Sequence, residues 1–130
     1  MNANGKPLSE RVIGCAMAVS NGLGVGFLEG VYANALELEL KASGIPFVRE
    51  CPLPVFYRSV QVGSFKADFL IDARLVVELK AVRALLPEHQ AQLMNYLRAG
   101  AHQVGLLLNF GTPRLGVKRM VIEHDDDAPI

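Results

Sequence analysis

Apolar residues recur every three or four positions in three parts of the chain, and this spacing predicts three helices. Ser9 is a suitable N-cap for the first helix, which Asn21-Gly22 would end. Ser43-Gly44 and Gly100 supply C-terminal stops for the other two. The predicted helices cover residues 9–20, 28–42 and 87–99.

Elsewhere the apolar residues alternate with polar ones or form short runs rich in Val, Leu and Phe, which predicts strands. The predicted strands cover residues 52–62, 64–71, 75–79, 104–110 and 117–122. The resulting order, ααβββαββ, is typical of an α/β sheet with helices packed against it. We expect one domain over residues 1–130, with a core at about 9–122 and a short acidic tail at 123–130.

The register of two neighbouring strands predicts that two carboxylates lie side by side. In a hairpin the apolar faces must coincide, because a slip of one residue turns every side chain over. A loop at Asp72-Ala73-Arg74 meets this condition and pairs Asp68 with Glu78, with Lys80 further along the same face. The apolar face would consist of Phe65, Ala67, Phe69 and Ile71 on the first strand and Leu75, Val77 and Leu79 on the second.

Two opposed carboxylates need something to offset their repulsion. Their Cβ atoms would lie about 4.5–5.5 Å apart, and charges at ~4 Å repel by about 4 kcal/mol at an effective dielectric of ~20. A cation, a shared proton or a base can offset this, and Mg²⁺ suits two carboxylates plus waters. Lys80 would then orient or deprotonate a metal-bound water and stabilise a phosphate. On this reasoning Asp68→Ala lowers metal affinity and raises thermal stability.

Two predicted helices offer further polar side chains. Glu29 lies in the first turn of the second helix, where the helix dipole favours a carboxylate even without a functional role. On the third helix, His89, Gln92 and Tyr96 share one face. They supply hydrogen bonds to a phosphate or to the lysine, or they form the polar margin of an amphipathic helix.

Composition neither demands nor excludes a polyanionic substrate. The 13 Lys and Arg residues balance the 13 Asp and Glu residues, but four acids, Glu123 and Asp125 to Asp127, lie in the tail, so the body has 13 basic against 9 (13 minus 4) acidic residues.

Cys15 and Cys51 stand alone, without metal-ligand spacing, and are expected to be reduced packing residues. No apolar stretch approaches the ~18 residues of a membrane span. With no targeting signal in view, we expect a cytoplasmic protein without membrane contact.

Several motifs together resemble the bacterial GxxExxY family, a branch of the PD-(D/E)XK nuclease superfamily. The name motif corresponds to Gly26-Phe27-Leu28-Glu29-Gly30-Val31-Tyr32, and the superfamily core to Ala67-Asp68 and Glu78-Leu79-Lys80. Gln92-Leu93-Met94-Asn95-Tyr96 is similar to the QxxxY motif of RecB-like exonucleases. The segment 105–111 also looks like this family, so the resemblance covers roughly residues 9–122.

This resemblance implies a restriction-endonuclease-like α/β fold, with a mixed central sheet flanked by helices and a metal at the split in the sheet. The implied ligands of Mg²⁺ or Mn²⁺ are Asp68, Glu78, the main-chain carbonyl of Leu79 and the helix-borne Glu29. Lys80 would be the catalytic lysine, supported by Gln92 and Tyr96. Ala67 stands where the superfamily motif has Pro, a position that often varies.

The expected function is therefore a divalent-metal-dependent nuclease that hydrolyses DNA or RNA with a metal-activated water. The expected partner is nucleic acid, with DNA favoured over RNA. A non-catalytic nucleic-acid or protein interaction module with the same fold is the main alternative. In an unrelated α/β enzyme Lys80 would be a nucleophile, but a neighbouring carboxylate would keep it protonated. A solvated salt bridge is the simplest alternative for the acidic pair and Lys80. The small surface leads us to expect a homodimer or a partner protein.

Overall fold

Three helices and five strands follow one another in the predicted order ααβββαββ. The computed structural model describes residues 5–122, so the acidic tail predicted at 123–130 lies outside the described residues. The elements are α1 (Leu8–Leu23), α2 (Glu29–Ala42), β1 (Phe47–Tyr57), β2 (Val60–Ile71), β3 (Leu75–Lys80), α3 (Pro87–Gly100), β4 (Val104–Asn109) and β5 (Gly116–Val121).

The five strands form one mixed sheet in the order β1-β2-β3-β4-β5. Neighbouring strands are antiparallel except β3 and β4, which are parallel and are joined through α3. Helices α1 and α2 pack on one face with the larger core cluster, and α3 packs on the other face with the smaller one. The predicted fold class, a restriction-endonuclease-like mixed sheet flanked by helices, is confirmed.

The central strand β4 shows why its sequence is apolar almost throughout. Leu106 and Leu108 belong to the core beneath α1 and α2, whereas Leu107 belongs to the core beneath α3. All six residues of β4 are buried, because a strand covered on both faces has no solvent side. Among residues 5–122, no helix is long and apolar enough to cross a membrane.

The predicted boundary between the first two strands was wrong. The turn lies at Arg58-Ser59, where both residues have positive φ, +50° and +65°. Gly63, which the prediction placed between the strands, lies inside β2 opposite Val55. A two-residue hairpin turn with two positive φ values usually carries Asn or Gly, so this turn has no recognisable sequence signal.

The predicted ends of the helices also shift. Pro7 rather than Ser9 precedes α1, and Ser9 is a buried residue within the helix. Helix α1 continues through Asn21-Gly22 and ends before Gly24, whose φ of +71° leaves the helical conformation. Helix α3 includes Gly100 and ends at Ala101 in the left-handed conformation.

The apolar face predicted for β2 is divided between the two sides of the sheet. Phe69 and Ile71 lie in the core beneath α1 and α2, but Ala67 lies in the core beneath α3. Phe65 lies on the same side as Ala67, and its ring centroid is 4.8 Å from that of Tyr96 on α3. The prediction of a single face from 65 to 71 was therefore wrong.

A local irregularity accompanies this change of face. On β1, Glu50 has a left-handed φ of +50°. The β1–β2 pairing runs from Arg49↔Phe69 to Cys51↔Ala67 without a pair in between. This unpaired step coincides with the change of side, since Phe69 lies in the core beneath α1 and α2 and Ala67 in the core beneath α3.

Candidate active site

Asp68 and Glu78 meet at the point where β2 and β3 separate. The predicted pairs Ile71↔Leu75 and Phe69↔Val77 are present, but the regular pairing ends there. Beyond it, the main-chain amide of Asp68 donates to Oε1 of Glu78 (2.8 Å), and the amide of Leu79 donates to Oδ2 of Asp68 (2.7 Å). The predicted cross-strand pair is thus replaced by side-chain to main-chain bonds, which hold both carboxylates in place.

Glu78 is a buried acid with a strongly shifted pKa. It is only 5% exposed. Burial, and then the neighbouring charge of Asp68, raises its pKa to about 8. Without a cation, Glu78 is therefore largely protonated at neutral pH, so a proton offsets the repulsion between the two carboxyl groups.

Lys80 and two residues of α3 meet on the α3 side of the sheet. The Nζ atom of Lys80 donates a 3.2 Å hydrogen bond to Oε1 of Gln92. Tyr96, one turn further along α3, is buried; burial and then the charges of Glu78 and Asp68 raise its pKa. The structure thus brings Gln92 and Tyr96 to the acidic pair and its lysine.

Glu29 lies on the side of the sheet opposite α3 and shares a cavity with Asp68. It is the first residue of α2 and is exposed. A cavity of about 140 Å³ separates α2 from the sheet and is lined by Glu29, Gly30, Ala33, Arg49, Glu50, Asp68 and Leu79. Within residues 5–122, no group of three or more His, Cys, Asp or Glu side chains is arranged to hold a metal ion. The structure places Glu29 and Asp68 on one cavity without joining Glu29, Asp68 and Glu78 into a single cluster.

Tyr32, the tyrosine of the GxxExxY pattern, holds the loop before α2 in place. Gly24 and Gly26 adopt positive φ values of +71° and +108°. The hydroxyl of Tyr32 donates to the carbonyl of Gly24 (2.6 Å) and accepts from the amide of Phe27 (3.3 Å). The Tyr32 ring stacks on Phe110 at 4.8 Å. Tyr32 is fully buried, so it positions the loop that leads to Glu29 rather than facing the cavity.

Two residues at the cavity were missed by sequence reasoning. Arg49 donates to Oδ1 of Asn34 (2.8 Å) and lies 3.6 Å from a carboxylate oxygen of Glu37. Glu50 is the residue of β1 with the left-handed conformation. The first strand was predicted to begin at Pro52, so neither residue was considered. The segment Phe47-Val48-Arg49-Glu50-Cys51 does not alternate apolar and polar residues and gave no strand signal.

His89 does not join the polar group predicted on its helix. Its Nδ1 atom accepts a 2.9 Å hydrogen bond from the amide of Leu86 at the start of α3. The amide of His89 in turn donates to the carbonyl of Leu86 (3.0 Å). This residue completes hydrogen bonds at the helix N-terminus, where main-chain groups lack helical partners.

A buried asparagine holds the chain just beyond Lys80. Asn109, only 2% exposed, pairs in register with Lys80 on the parallel strand β4. Its Oδ1 accepts from the amides of Val82 and Gly111, both at 3.0 Å, and its Nδ2 donates to the carbonyl of Val82 (2.9 Å). Sequence reasoning missed this role, because a polar residue at the end of an apolar strand also suits an exposed loop.

Comparisons with known proteins found one similar fold and one matching family model. No curated protein matches the chain. A solved structure titled "Crystal structure of SSO0001" shares 23% identity with a TM-score of 0.57, and the match covers 92% of this chain and 59% of that one. That likeness concerns the fold alone, and the chain spans 59% of the length of its structural relative. A family model described as "PD-(D/E)XK nuclease superfamily" matches residues 6–120, so the chain belongs to the PD-(D/E)XK nuclease superfamily.

Proposed function

We propose that this chain is a divalent-metal-dependent nuclease that hydrolyses phosphodiester bonds, with Asp68, Glu78 and Lys80 at its centre. The observation that carries the proposal is the pair of carboxyl groups held together by the amides of Asp68 and Leu79 where β2 and β3 part. The motifs around Glu29 and the acidic pair favour the GxxExxY branch of the superfamily.

The donor set suits Mg²⁺ or Mn²⁺, which prefer oxygen ligands in proteins. Asp68 and Glu78 would hold the ion, with the main-chain carbonyl of Leu79 and the exposed carboxylate of Glu29 completing the set. A buried Glu78 that keeps its proton at neutral pH is a group whose charge an adjacent cation would stabilise. When bound, such an ion lowers the pKa of a water molecule and offsets negative charge on a phosphate.

Lys80 is the group of this chain that would meet the phosphate. Its hydrogen bond to Gln92 fixes the direction of the ammonium group beside the acidic pair. A fixed positive charge stabilises the charge that develops on a phosphate oxygen in the transition state. Gln92 positions the lysine. Tyr96 would donate a hydrogen bond to the same phosphate, and its raised pKa keeps the phenol protonated.

The test is cleavage of labelled single-stranded and duplex DNA and RNA with Mg²⁺ or Mn²⁺, by wild-type and Lys80→Ala protein. Lys41→Ala is a matched control, because Lys41 lies on α2 with an exposed side chain. Metal-dependent cleavage that falls by about 10²–10³-fold in Lys80→Ala alone is the expected result. Cleavage by Lys80→Ala at the wild-type rate would contradict the proposal.

A non-catalytic binding module is the second candidate. The observation in its favour is that residues 5–122 hold no cluster of three acids, cysteines or histidines arranged for a metal. Isothermal titration with Mn²⁺ separates the two candidates. A nuclease site binds the ion and loses affinity in Asp68→Asn, whereas a binding module shows no Mn²⁺ binding at all and no cleavage. A homodimer or partner protein would enlarge the surface available in either case.

A further inference from the structure

The β1–β2 hairpin extends beyond the rest of the sheet and exposes large apolar side chains. We call residues 54–66 the hairpin arm; its tip pairs Phe56↔Gln61 and Tyr57↔Val60. The pairing of β2 with β3 reaches no further than Phe69, so the arm has no second neighbour in the sheet. Exposed fractions are 61% for Phe56, 63% for Tyr57, 61% for Val60 and 61% for Val62. Large exposed apolar side chains grouped on one short hairpin point to a binding role.

A groove lies between the hairpin arm and α3. It is a cavity of about 520 Å³ lined by Val55, Phe56, Phe65, Asn95, Arg98 and Ala99. The regular pairing of the arm shifts between Val55 and Phe56, and this bulge accounts for two consecutive side chains lining one groove. Both aromatic rings of the lining are therefore available to a ligand in the groove.

This groove adjoins the candidate active site through the contact between Phe65 and Tyr96. Phe65 lines the groove, and its ring lies tilted against that of Tyr96, with the centroids 4.8 Å apart. Burial, and then the charges of Glu78 and Asp68, raise the pKa of Tyr96. On α3, Gln92 contacts Lys80, and Ala99 lies seven residues further along, about 10 Å at the helical rise of ~1.5 Å per residue. A ligand along α3 would thus run from the arm to the acidic pair.

The charge of the groove suits a polyanion. Residues 51–67 contain Arg58 and Lys66 and no Asp or Glu. Arg98 lines the groove from α3, and the guanidinium of Arg58 lies 5.5 Å from the ring centroid of Tyr57 at the tip. Aromatic rings interleaved with basic side chains are typical of surfaces that bind single-stranded nucleic acid.

We propose that the hairpin arm and α3 form a platform for single-stranded nucleic acid, which leads the strand to Asp68 and Glu78. The inference rests on the proposed function and names the substrate class. Unpaired bases stack on Phe56 and Phe65, and phosphates contact Arg98. A duplex hides the faces of its bases, so exposed aromatic rings outside its grooves would add little to duplex binding.

Binding is measured by fluorescence anisotropy in EDTA, so that affinity is read without cleavage. The probes are labelled oligothymidylate, oligouridylate and a DNA duplex of equal length, and the two single strands distinguish DNA from RNA. We expect Phe56→Ala to weaken single-strand binding by roughly 5- to 100-fold, the range for losing one stacked base. Arg98→Ala should weaken binding and reduce the dependence of log affinity on log salt by about 0.7.

Matched controls lie elsewhere on the surface. Leu38→Ala removes an apolar side chain of α2 that is 67% exposed, against 61% for Phe56. Arg114→Ala removes an exposed arginine from the loop before β5. Both controls should bind the single strands with wild-type affinity. Because Phe56 and Arg98 are also exposed, their variants should keep the wild-type melting temperature.

Three outcomes would overturn the platform: equal or stronger binding of duplex, unchanged affinity in both Phe56→Ala and Arg98→Ala, or no single-strand binding by wild-type protein. A shift from dimer to monomer in Phe56→Ala with unchanged affinity would show instead that the arm contacts a second copy, and would equally overturn it. Its failure is separable from that of the nuclease proposal. If the wild-type protein cleaves with Mg²⁺ and Phe56→Ala and Arg98→Ala cleave equally well, only the platform is refuted. If these two variants lose single-strand binding but the wild-type protein does not cleave, only the nuclease proposal is refuted.

Discussion

The main-chain amide of Asp68 donates a 2.8 Å hydrogen bond to the carboxyl group of Glu78, where β2 and β3 separate. Through this bond and the bond from Leu79 to Asp68, two acidic side chains take the place of the strand pairing that ends at Phe69. The same arrangement buries Glu78 beside a second acid and raises its pKa to about 8. The hydrogen bonds that hold β2 to β3 at this point and the raised pKa of Glu78 therefore depend on the same two side chains.

The stability of the metal-free protein should fall as pH rises from about 4.5 to about 8. The pKa of Glu78 is 4.5 as the reference value and about 8 in the fold, so in this window the folded state keeps a proton that the unfolded state has lost. The contribution of Glu78 to the free energy of unfolding is fully present below pH 4.5 and is lost as pH rises through 8. The free energy of unfolding should change by at most about 1.4 kcal/mol per pH unit in this window.

Urea unfolding of wild type and Glu78→Gln in EDTA across this range measures the effect. The difference between the two proteins isolates Glu78, because His102, whose pKa burial lowers, titrates identically in both. The variant should show the flatter profile. Parallel profiles from pH 5 to 8 would contradict the raised pKa.

Asp68→Ala and Asp68→Asn should have opposite effects on stability. The sequence predicted that Asp68→Ala stabilises the fold by removing repulsion, but the structure shows that Asp68 accepts the amide of buried Leu79. Alanine leaves that amide without an acceptor, at a cost of about 1–3 kcal/mol. Asparagine keeps an acceptor and removes the charge beside Glu78, so at pH 8 it should be more stable than wild type. Thermal melts in EDTA compare the two variants, and a more stable Asp68→Ala would restore the simpler repulsion argument.

Gln92→Ala should lower turnover and leave the fold intact. Gln92 is exposed, and its Oε1 accepts the hydrogen bond from Lys80. Without it the ammonium group loses its fixed direction, so we expect kcat to fall by about 10-fold with KM nearly unchanged, since a loss confined to the transition state lowers kcat. Gln92→Glu keeps an acceptor for Lys80 and should recover part of kcat. A change in KM alone would assign Gln92 to substrate binding rather than to positioning the lysine.

Asn109→Ala should destabilise the protein and reduce activity together. Its buried side chain completes three hydrogen bonds with the backbone of Val82 and Gly111. Each main-chain group left without a partner costs about 1–3 kcal/mol, and the chain just after Lys80 loses its support. Chemical denaturation and cleavage assays test this, with Asn21→Ala, an exposed position near the end of α1, as control. Wild-type kcat in Asn109→Ala would show that β3 holds Lys80 without this support.

Gly111→Ala should destabilise the fold through a backbone clash. A Cβ at Gly111 would overlap the main-chain N and O of Val82, and neither atom can move without disturbing the end of β3. We expect a loss of about 1–3 kcal/mol, as for other overpacked sites. Gly22→Ala is the control, since its Cβ would meet nothing within 4 Å and alanine favours its helix. Equal melting temperatures for Gly111→Ala and wild type would contradict the close approach.

The sequence by itself determined the order of the elements and the register of the β2–β3 hairpin. Both follow from local physics: helical periodicity, alternation, and the requirement that the apolar faces of Phe69–Ile71 and Leu75–Val77 coincide. Asp68, Glu78 and Lys80 were therefore predictable as neighbours. Helical spacing singled out Gln92 and Tyr96 as one polar face, but it left a site role and an amphipathic margin both open, because their approach to Lys80 depends on how α3 packs.

Only the tertiary structure decided how these residues are used. The turn at Arg58-Ser59 and the left-handed Glu50 have no local sequence signal, so the hairpin arm and the position of Glu50 at the cavity stayed hidden. The raised pKa of Glu78 likewise required the burial and the neighbour that folding creates. Periodicity reports which face a side chain prefers, whereas charge states and main-chain partners depend on segments distant in sequence that meet only in the folded chain.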